Sequence, residues 1–208
     1  KRLELAGQLK KEKDDPIRVL EVGCACGATL LYIKHLYPNA ELYGIEINDK
    51  AAAIAGTFAH VLSGDCEGDD VNFEENYFDY IIMGDVLEHL RDPWSFVAKC
   101  KRLLKDEGYA ICSIPNVMHY SIIAGLLGGR WLYTDSGLLD RTHLRFFTPM
   151  EAFLMFTGSG YRNIENSFIV TPLSKEAEEF VDKLCALQQT TAFRTFFTVY
   201  QILLTAQK

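Results

Sequence analysis

The sequence predicts an α/β fold with a mainly parallel sheet and helices on both faces, and three observations carry that prediction. Strand-like and helix-like segments alternate along most of the chain, as they do where crossover helices join parallel strands. The first strand-like run opens directly onto a turn with two glycines, VLEVGCACG at Val19 to Gly27. Finally, 49% of the 208 residues are apolar, which suits one domain over residues 1–208 with a substantial hydrophobic core.

IRVLEV, Ile17 to Val22, is a short β-rich run, and ATLLYIKHLYP after it carries apolar residues at helical spacing until Pro38 stops it. ELYGIEI, Glu41 to Ile47, is the second strand; Asp49 to His60 is alanine-rich and helical, with Asn48 or Asp49 able to cap it. HVLSGD gives a brief third strand and FDYIIMG, Phe78 to Gly84, the fourth. A helix from Pro93 to Leu104 follows, with proline in its first turn, then a KDEG turn and a fifth strand, Tyr109 to Pro115. Between Asn116 and Thr148 regularity lapses, and a segment this long inside a compact domain commonly covers a ligand site. A helix (Pro149 to Thr157), a strand (Tyr161 to Val170), a helix (Lys175 to Gln188) and a final strand, TFFTVYQILLTA, complete the pattern. Phe196 to Leu204 is apolar on both sides, as a strand covered on both faces would be.

The formal net charge of -7 gives no overall attraction to a phosphate backbone, and the longest basic cluster, Lys10-Lys11-Glu12-Lys13, is interrupted by an acid. Nucleic acid is therefore not the expected partner. No run approaches the eighteen or so apolar residues that cross a bilayer, and the N-terminal stretch is too polar for a signal peptide, so the expectation is a cytoplasmic protein without a membrane partner. The six cysteines are spaced irregularly, several within apolar runs, which suits small buried side chains in a reducing compartment. Cys24-x-Cys26 lacks the C-x-x-C spacing of redox and zinc motifs.

A strand-turn-helix unit presents unpaired backbone N–H groups over the turn, and glycines let a ligand approach without a clashing Cβ, so a dinucleotide or another nucleoside can sit there. The dinucleotide fingerprint is matched only in part, by Gly23, Ala25 and Ala28. Glu21, Gly23 and Gly27 fit better the first motif, E-x-G-x-G-x-G, of the class I S-adenosylmethionine-dependent methyltransferases, which the chain resembles; Ala25 stands where the family has its middle glycine. One extra methyl is tolerable there if its φ is negative. Glu46 closes the second strand, where a carboxylate can accept two hydrogen bonds from ribose hydroxyls. Gly64-Asp65-Cys66 resembles the family loop whose acid meets the adenine amino group.

The strongest resemblance is the block FDYIIMGDVLEHLRDPWSFVAKCKRLLKDEGYAICSIPN, with its D-x-L-E-H-L turn and closing P-N. It implies a doubly wound, Rossmann-like, seven-stranded sheet whose last strand is antiparallel, S-adenosylmethionine as cofactor, and a small-molecule substrate. The expected cofactor-binding residues are Glu21, Gly23, Cys24, Ala25, Cys26, Gly27, Glu46, Ile47, Asp65, Cys66 and Asp85. A nicotinamide oxidoreductase would need a hydride-transfer constellation such as Tyr-x-x-x-Lys, which does not stand out; a non-catalytic binding module that keeps the fold is the other alternative.

Methyl transfer is an in-line displacement, so the chain must align a nucleophile and, for a hydroxyl, remove its proton. Asp85, Glu88 and His89 follow the C-terminal end of the fourth strand, the edge where open α/β sheets bind ligands. A histidine ordinarily titrates near neutrality, and His89 is the expected base, with Glu88 and His143 as further catalytic candidates. His143 belongs to Asp140-Arg141-Thr142-His143-Leu144-Arg145, a polar string that also resembles bacterial methyltransferases of glycan and secondary-metabolite pathways. Asp85, Glu88, His89 and His143 are together able to hold a divalent cation, as E-x-x-E-H with a distant histidine does in some small-RNA and quinone-precursor O-methyltransferases; none is assigned as a metal ligand. Trp131, Tyr133, His119 and Tyr120 could form an aromatic wall, and Gly125 to Gly129 a hinge. The expected acceptor is a hydroxyl on a sugar, glycan precursor, quinone-like compound or secondary metabolite.

Overall fold

A computed structural model describes residues 7–10, 12, 14–68, 72–187 and 193–208. Lys11 and Lys13 of the basic cluster, and Gln188 at the end of a predicted helix, lie outside the described residues.

The order of elements is β1 (Arg18–Val22), α1 (Ala28–Leu36), β2 (Glu41–Glu46), α2 (Asp49–Ala55), β3 (His60–Ser63), β4 (Phe78–Gly84), a 3-10 turn (Leu87–His89), α3 (Pro93–Leu103), β5 (Leu104–Pro115), α4 (Tyr120–Leu127), α5 (Pro149–Gly158), β6 (Arg162–Val170), α6 (Lys175–Leu187), α7 (Arg194–Thr198) and β7 (Val199–Gln207). The strands form one seven-stranded sheet in the order β3-β2-β1-β4-β5-β7-β6. β7 runs antiparallel to both neighbours and the other pairings are parallel. This is the doubly wound arrangement that the sequence predicts.

Period-two alternation along the central strands divides the core. Leu20, Val22, Ile81 and Met83 face a layer built on Phe96, Val97 and Cys100 of α3 and Ala152, Met155 and Phe156 of α5. Val19, Tyr80 and Ile82 face the opposite layer, with Leu30 and Ile33 of α1. Truncating a side chain such as Leu30 or Ile33, both 0% exposed, to alanine costs about 2–5 kcal/mol in such a core.

Side-chain caps fix where several helices begin. Asn48 accepts from the Lys50 and Ala51 amides at α2, Asp92 from Ser95 at α3, where Pro93 fills the first position, and Thr148 from Glu151 at α5.

Four expectations are corrected. The predicted helix to His60 ends at Ala55, because residues from His60 pair with β2. KDEG is not a turn between helix and strand but a bulge inside β5: Leu104 pairs with Phe78, the next pair is Tyr109 with Tyr80, and Lys105 Nζ reaches Asp79 Oδ2 at 2.7 Å. The segment 116–148 is not wholly irregular, since YSIIAGLL forms α4, started by the His119 ring accepting from the Ser121 amide and ended at Gly128. TFFT reads as β by composition yet is helical; Asn116 Nδ2 donates to the Phe196 and Val199 carbonyls, both at 2.7 Å, at the break before β7 begins. From Val199 the strand is buried along nearly all its length, as expected.

Candidate functional site

The strand order reverses between β1 and β4, and at such a switch point the loops beyond the strand ends part to leave a crevice. The turn leaving β1 is drawn toward β2: the Gly23 and Cys24 amides both donate to the Ile45 carbonyl, at 2.8 and 3.1 Å. Glu46, 9% exposed, then accepts from the Ala25 amide through Oε2 and from the Asn48 amide through Oε1, each at 2.8 Å. Two oxygens offer about four lone-pair positions, so both can still accept from a ligand.

Glycine is required at two points of this turn. Gly23 has φ +65°, and a Cβ there would stand 2.9 Å from Val86 Cγ2; Gly27 has φ +79°, and a Cβ there would meet the Phe58 ring at 2.6 Å. Ala25 also has positive φ, +49°, so the expectation of a negative φ at this residue is overturned. The left-handed conformation costs a non-glycine residue roughly 1–2 kcal/mol, and here the Glu46 carboxylate bonded to the Ala25 amide holds it in place.

A cavity of about 370 Å³ opens over this turn, within the range of small-molecule sites. Gly23, Glu46, Ile47, Asp65, Cys66, Asp85 and His89 of the predicted residues line it, together with Val86, Glu67, Arg91 and Leu144. Ile47 is 72% exposed at its edge, an apolar surface available to a planar ring. Arg91 spans the rim, pairing with Asp65 at 3.0 Å and Glu67 at 3.2 Å. Burial raises the Glu67 carboxyl, but the Arg91 and Asp92 amides and the Arg91 guanidinium outweigh it and hold the group below the usual carboxylate range. Burial, aided by the charges of Asp65 and Glu67, pushes the Cys66 thiol up to about 12, so it stays protonated and is no nucleophile. Glu21, Cys24, Ala25, Cys26 and Gly27 do not line the cavity; Glu21 and Cys24 are buried beneath it and Gly27 caps α1.

A second cavity, of about 180 Å³, shares Asp85 and His89 with the first and adds Glu88, Pro115, Gly137, Leu138, Asp140, His143, Tyr200 and Gln201. Asp85, at φ +57°, turns its carboxylate toward β5 and β7, where Ser113 Oγ donates at 2.9 Å and Gln201 Nε2 also donates. The Leu144 and Arg145 amides donate to the Glu88 carbonyl, at 2.8 and 3.0 Å, which ties the polar string to the turn after β4. His143 and His89 meet edge to face, ring centroids 4.8 Å apart, and His143 Nε2 lies 4.0 Å from Glu88 Oε1.

Tautomers follow from the partners. His89 Nδ1 is 3.2 Å from the Thr142 carbonyl, and His143 Nδ1 is 3.3 Å from the Leu138 carbonyl. A carbonyl only accepts, so each Nδ1 donates, and each neutral ring carries its lone pair on Nε2. One ligand atom from each of Glu88, His89 and His143 lies within 4.8 Å of the others. Asp85, the fourth residue of the predicted set, is outside that group.

The predicted aromatic wall lines neither cavity. Trp131 packs edge to face on Phe146 and Tyr133 within the inserted segment's own core, and His119 packs against Tyr120 and Tyr200. The aromatic ring that does line the second cavity is Tyr200, missed in the sequence along with Gln201. A lone glutamine within an apolar strand was the available signal, since a buried polar side chain needs a partner.

The comparisons agree with this geometry. Residues 1–166 match the family model described as a methyltransferase domain. A ubiquinone biosynthesis O-methyltransferase of Thiobacillus denitrificans is 28% identical over 188 residues, covering 83% of this chain and 78% of its own. A SAM-dependent methyltransferase from Archaeoglobus fulgidus superposes with a TM-score of 0.67 at 18% identity, covering all of this chain and 95% of its own. Phosphoethanolamine N-methyltransferase 2 of Haemonchus contortus, in complex with S-adenosyl-L-methionine, gives 0.69 at 15% identity over all of this chain and 52% of its own. With a family model that spans most of its length and the glycine turn, acidic strand end and switch-point cavity all in one place, the chain belongs to the methyltransferase domain family, and S-adenosylmethionine is its cofactor.

Proposed function

We propose that the protein methylates a hydroxyl oxygen of a small molecule, with the methyl donor in the first cavity and the acceptor in the second. The observation that carries this reading is the wall the two cavities share, Asp85 and His89, because a group there can touch both reactants.

The first cavity fits the cofactor by its own chemistry. Glu46 offers acceptor positions for ribose hydroxyls, Ile47 and Val86 offer apolar surface to the adenine, Asp65 and Cys66 lie at its edge, and a Cβ at Gly23 would crowd Val86 at the cavity wall. Glu21, Cys24, Ala25, Cys26 and Gly27 act by fixing the turn. S-adenosylmethionine supplies a methyl group already activated at a sulfonium, which leaves the chain to position an acceptor and take its proton. His89 Nε2 is placed to take that proton, so that the oxygen would gain the methyl carbon as the carbon–sulfur bond breaks and neutral S-adenosylhomocysteine leaves, while His143 and Glu88 orient the acceptor. Residues 116–148 serve as a substrate-covering insertion in a single domain of residues 1–208. The relatives named as ubiquinone biosynthesis O-methyltransferases support oxygen as the methylated atom. The cysteines, none of which forms a disulfide among the described residues, suit a reducing cytoplasm, and no helix among the described residues is long and apolar enough to cross a membrane. Calorimetry with S-adenosylhomocysteine tests the donor site: binding is expected, and its absence alongside binding of NAD would overturn the reading.

A second reading adds a divalent cation on Glu88, His89 and His143. It is favoured by the two Nδ1–carbonyl contacts, the outer partners that metal-ligating histidines use. Such an ion would acidify the acceptor hydroxyl. Turnover that survives exhaustive chelation unchanged removes this reading, and loss restored by one metal supports it.

A further inference from the structure

We infer that the second cavity admits a single uncharged ring bearing hydroxyls and turns away acceptors that carry a carboxylate or phosphate; this rests on the O-methylation reading above. Size is the first argument. A cavity of about 150 Å³ suffices for benzene, so about 180 Å³ leaves room for one ring and small substituents. Gly137 sets that limit: at φ +97° it lies against Tyr200, and a Cβ there would stand 3.0 Å from the Tyr200 hydroxyl.

Charge is the second argument. Three carboxylates, Asp85, Glu88 and Asp140, line the cavity, and among the described residues no lysine or arginine does. The neighbouring arginines are engaged elsewhere: Arg141 with Asp135 at 2.7 Å, Arg145 with the Arg91 carbonyl, and Arg91 with Asp65 and Glu67. Asp140 Oδ1 accepts from the Thr142 hydroxyl at 2.6 Å and from the Thr142 amide at 2.8 Å, the acceptor-only pattern of a carboxylate. The remaining polar groups, Gln201 and the Tyr200 hydroxyl, suit hydroxyl-bearing partners, while Leu138 and Pro115 offer apolar surface to a ring face.

The test uses two matched pairs of probes, catechol against 3,4-dihydroxybenzoate and methyl glucoside against methyl glucuronide. Binding to the S-adenosylhomocysteine-loaded protein is followed by NMR, and kcat/KM for O-methylation is measured with S-adenosylmethionine. In at least one pair the neutral member should bind and react at least tenfold better than its anionic partner. Asp140→Asn keeps an oxygen for Thr142 but removes a charge, so it should narrow that ratio several-fold; a purely structural role would lower both members alike. Equal or better use of the anionic member, an unchanged ratio in Asp140→Asn, or no binding by any of the four probes overturns the inference. Failure to bind S-adenosylhomocysteine itself overturns the underlying reading instead.

Discussion

The two cavities share a wall but are built in different ways. The first is assembled mainly from consecutive strand ends, β1 to β4, whose backbone amides and one buried carboxylate, Glu46, fix its floor, with Leu144 of the inserted segment added at its wall. The second draws on the turn after β4, the inserted segment and β7, so its residues run from Asp85 to Gln201. Residues close in sequence thus suffice for most of the first cavity, whereas the second exists only where distant segments meet across the sheet.

Four substitutions test that contrast. His89→Gln acts on the shared wall and should lower kcat by 10²–10⁴ while leaving S-adenosylhomocysteine affinity within a few-fold, as read by steady-state kinetics beside calorimetry. Unaltered turnover would move the base elsewhere. Glu46→Ala acts on the first cavity alone: losing the charged acceptor for the turn amides and the ribose should weaken S-adenosylhomocysteine binding about 100-fold, roughly 3 kcal/mol.

His119 packs behind the second cavity, against the Tyr200 ring, and burial pushes it down to about 4. On acidification the unfolded chain takes up that proton first, near pH 6.5. Its contribution is therefore complete above pH 6.5 and is lost as pH falls toward 4, by up to about 3 kcal/mol. Denaturant titrations should show a shallower loss over that window in His119→Asn, which keeps an acceptor for the Ser121 amide; an identical slope would remove His119 from the account. The smallest effect is expected for Ala25→Gly, which relieves the left-handed alanine and should raise stability by about 1 kcal/mol, a few degrees in Tm.

The same contrast explains what could be read in the sequence. Short β-rich apolar runs marked the strands, because a sheet covered on both faces demands apolar residues along most of each strand, and Gly23, Gly27 and Glu46 stood out because a turn near a ligand needs those types at that spacing. The φ of Ala25 did not, since it is set by the Glu46 carboxylate bonded to its amide. Tyr200 and Gln201 were missed for a similar reason: the polarity of Gln201 signals a partner, but only the pairing of β7 with β5, Gln201 opposite Pro115, brings the two beside Asp85. The aromatic residues of the insertion misled because Trp131 and Phe146 serve its own small core.

β7 slots between β5 and β6, although it is the last of the seven strands to leave the ribosome. β5 and β6 must therefore wait for it with unpaired edges. A nascent chain can pair β1, β2, β3 and β4 as soon as β4 has emerged, but the second cavity closes only when Tyr200 and Gln201 arrive. The four parallel strands behind the first cavity can thus be in place while the inner seam of the sheet and the second cavity are still open.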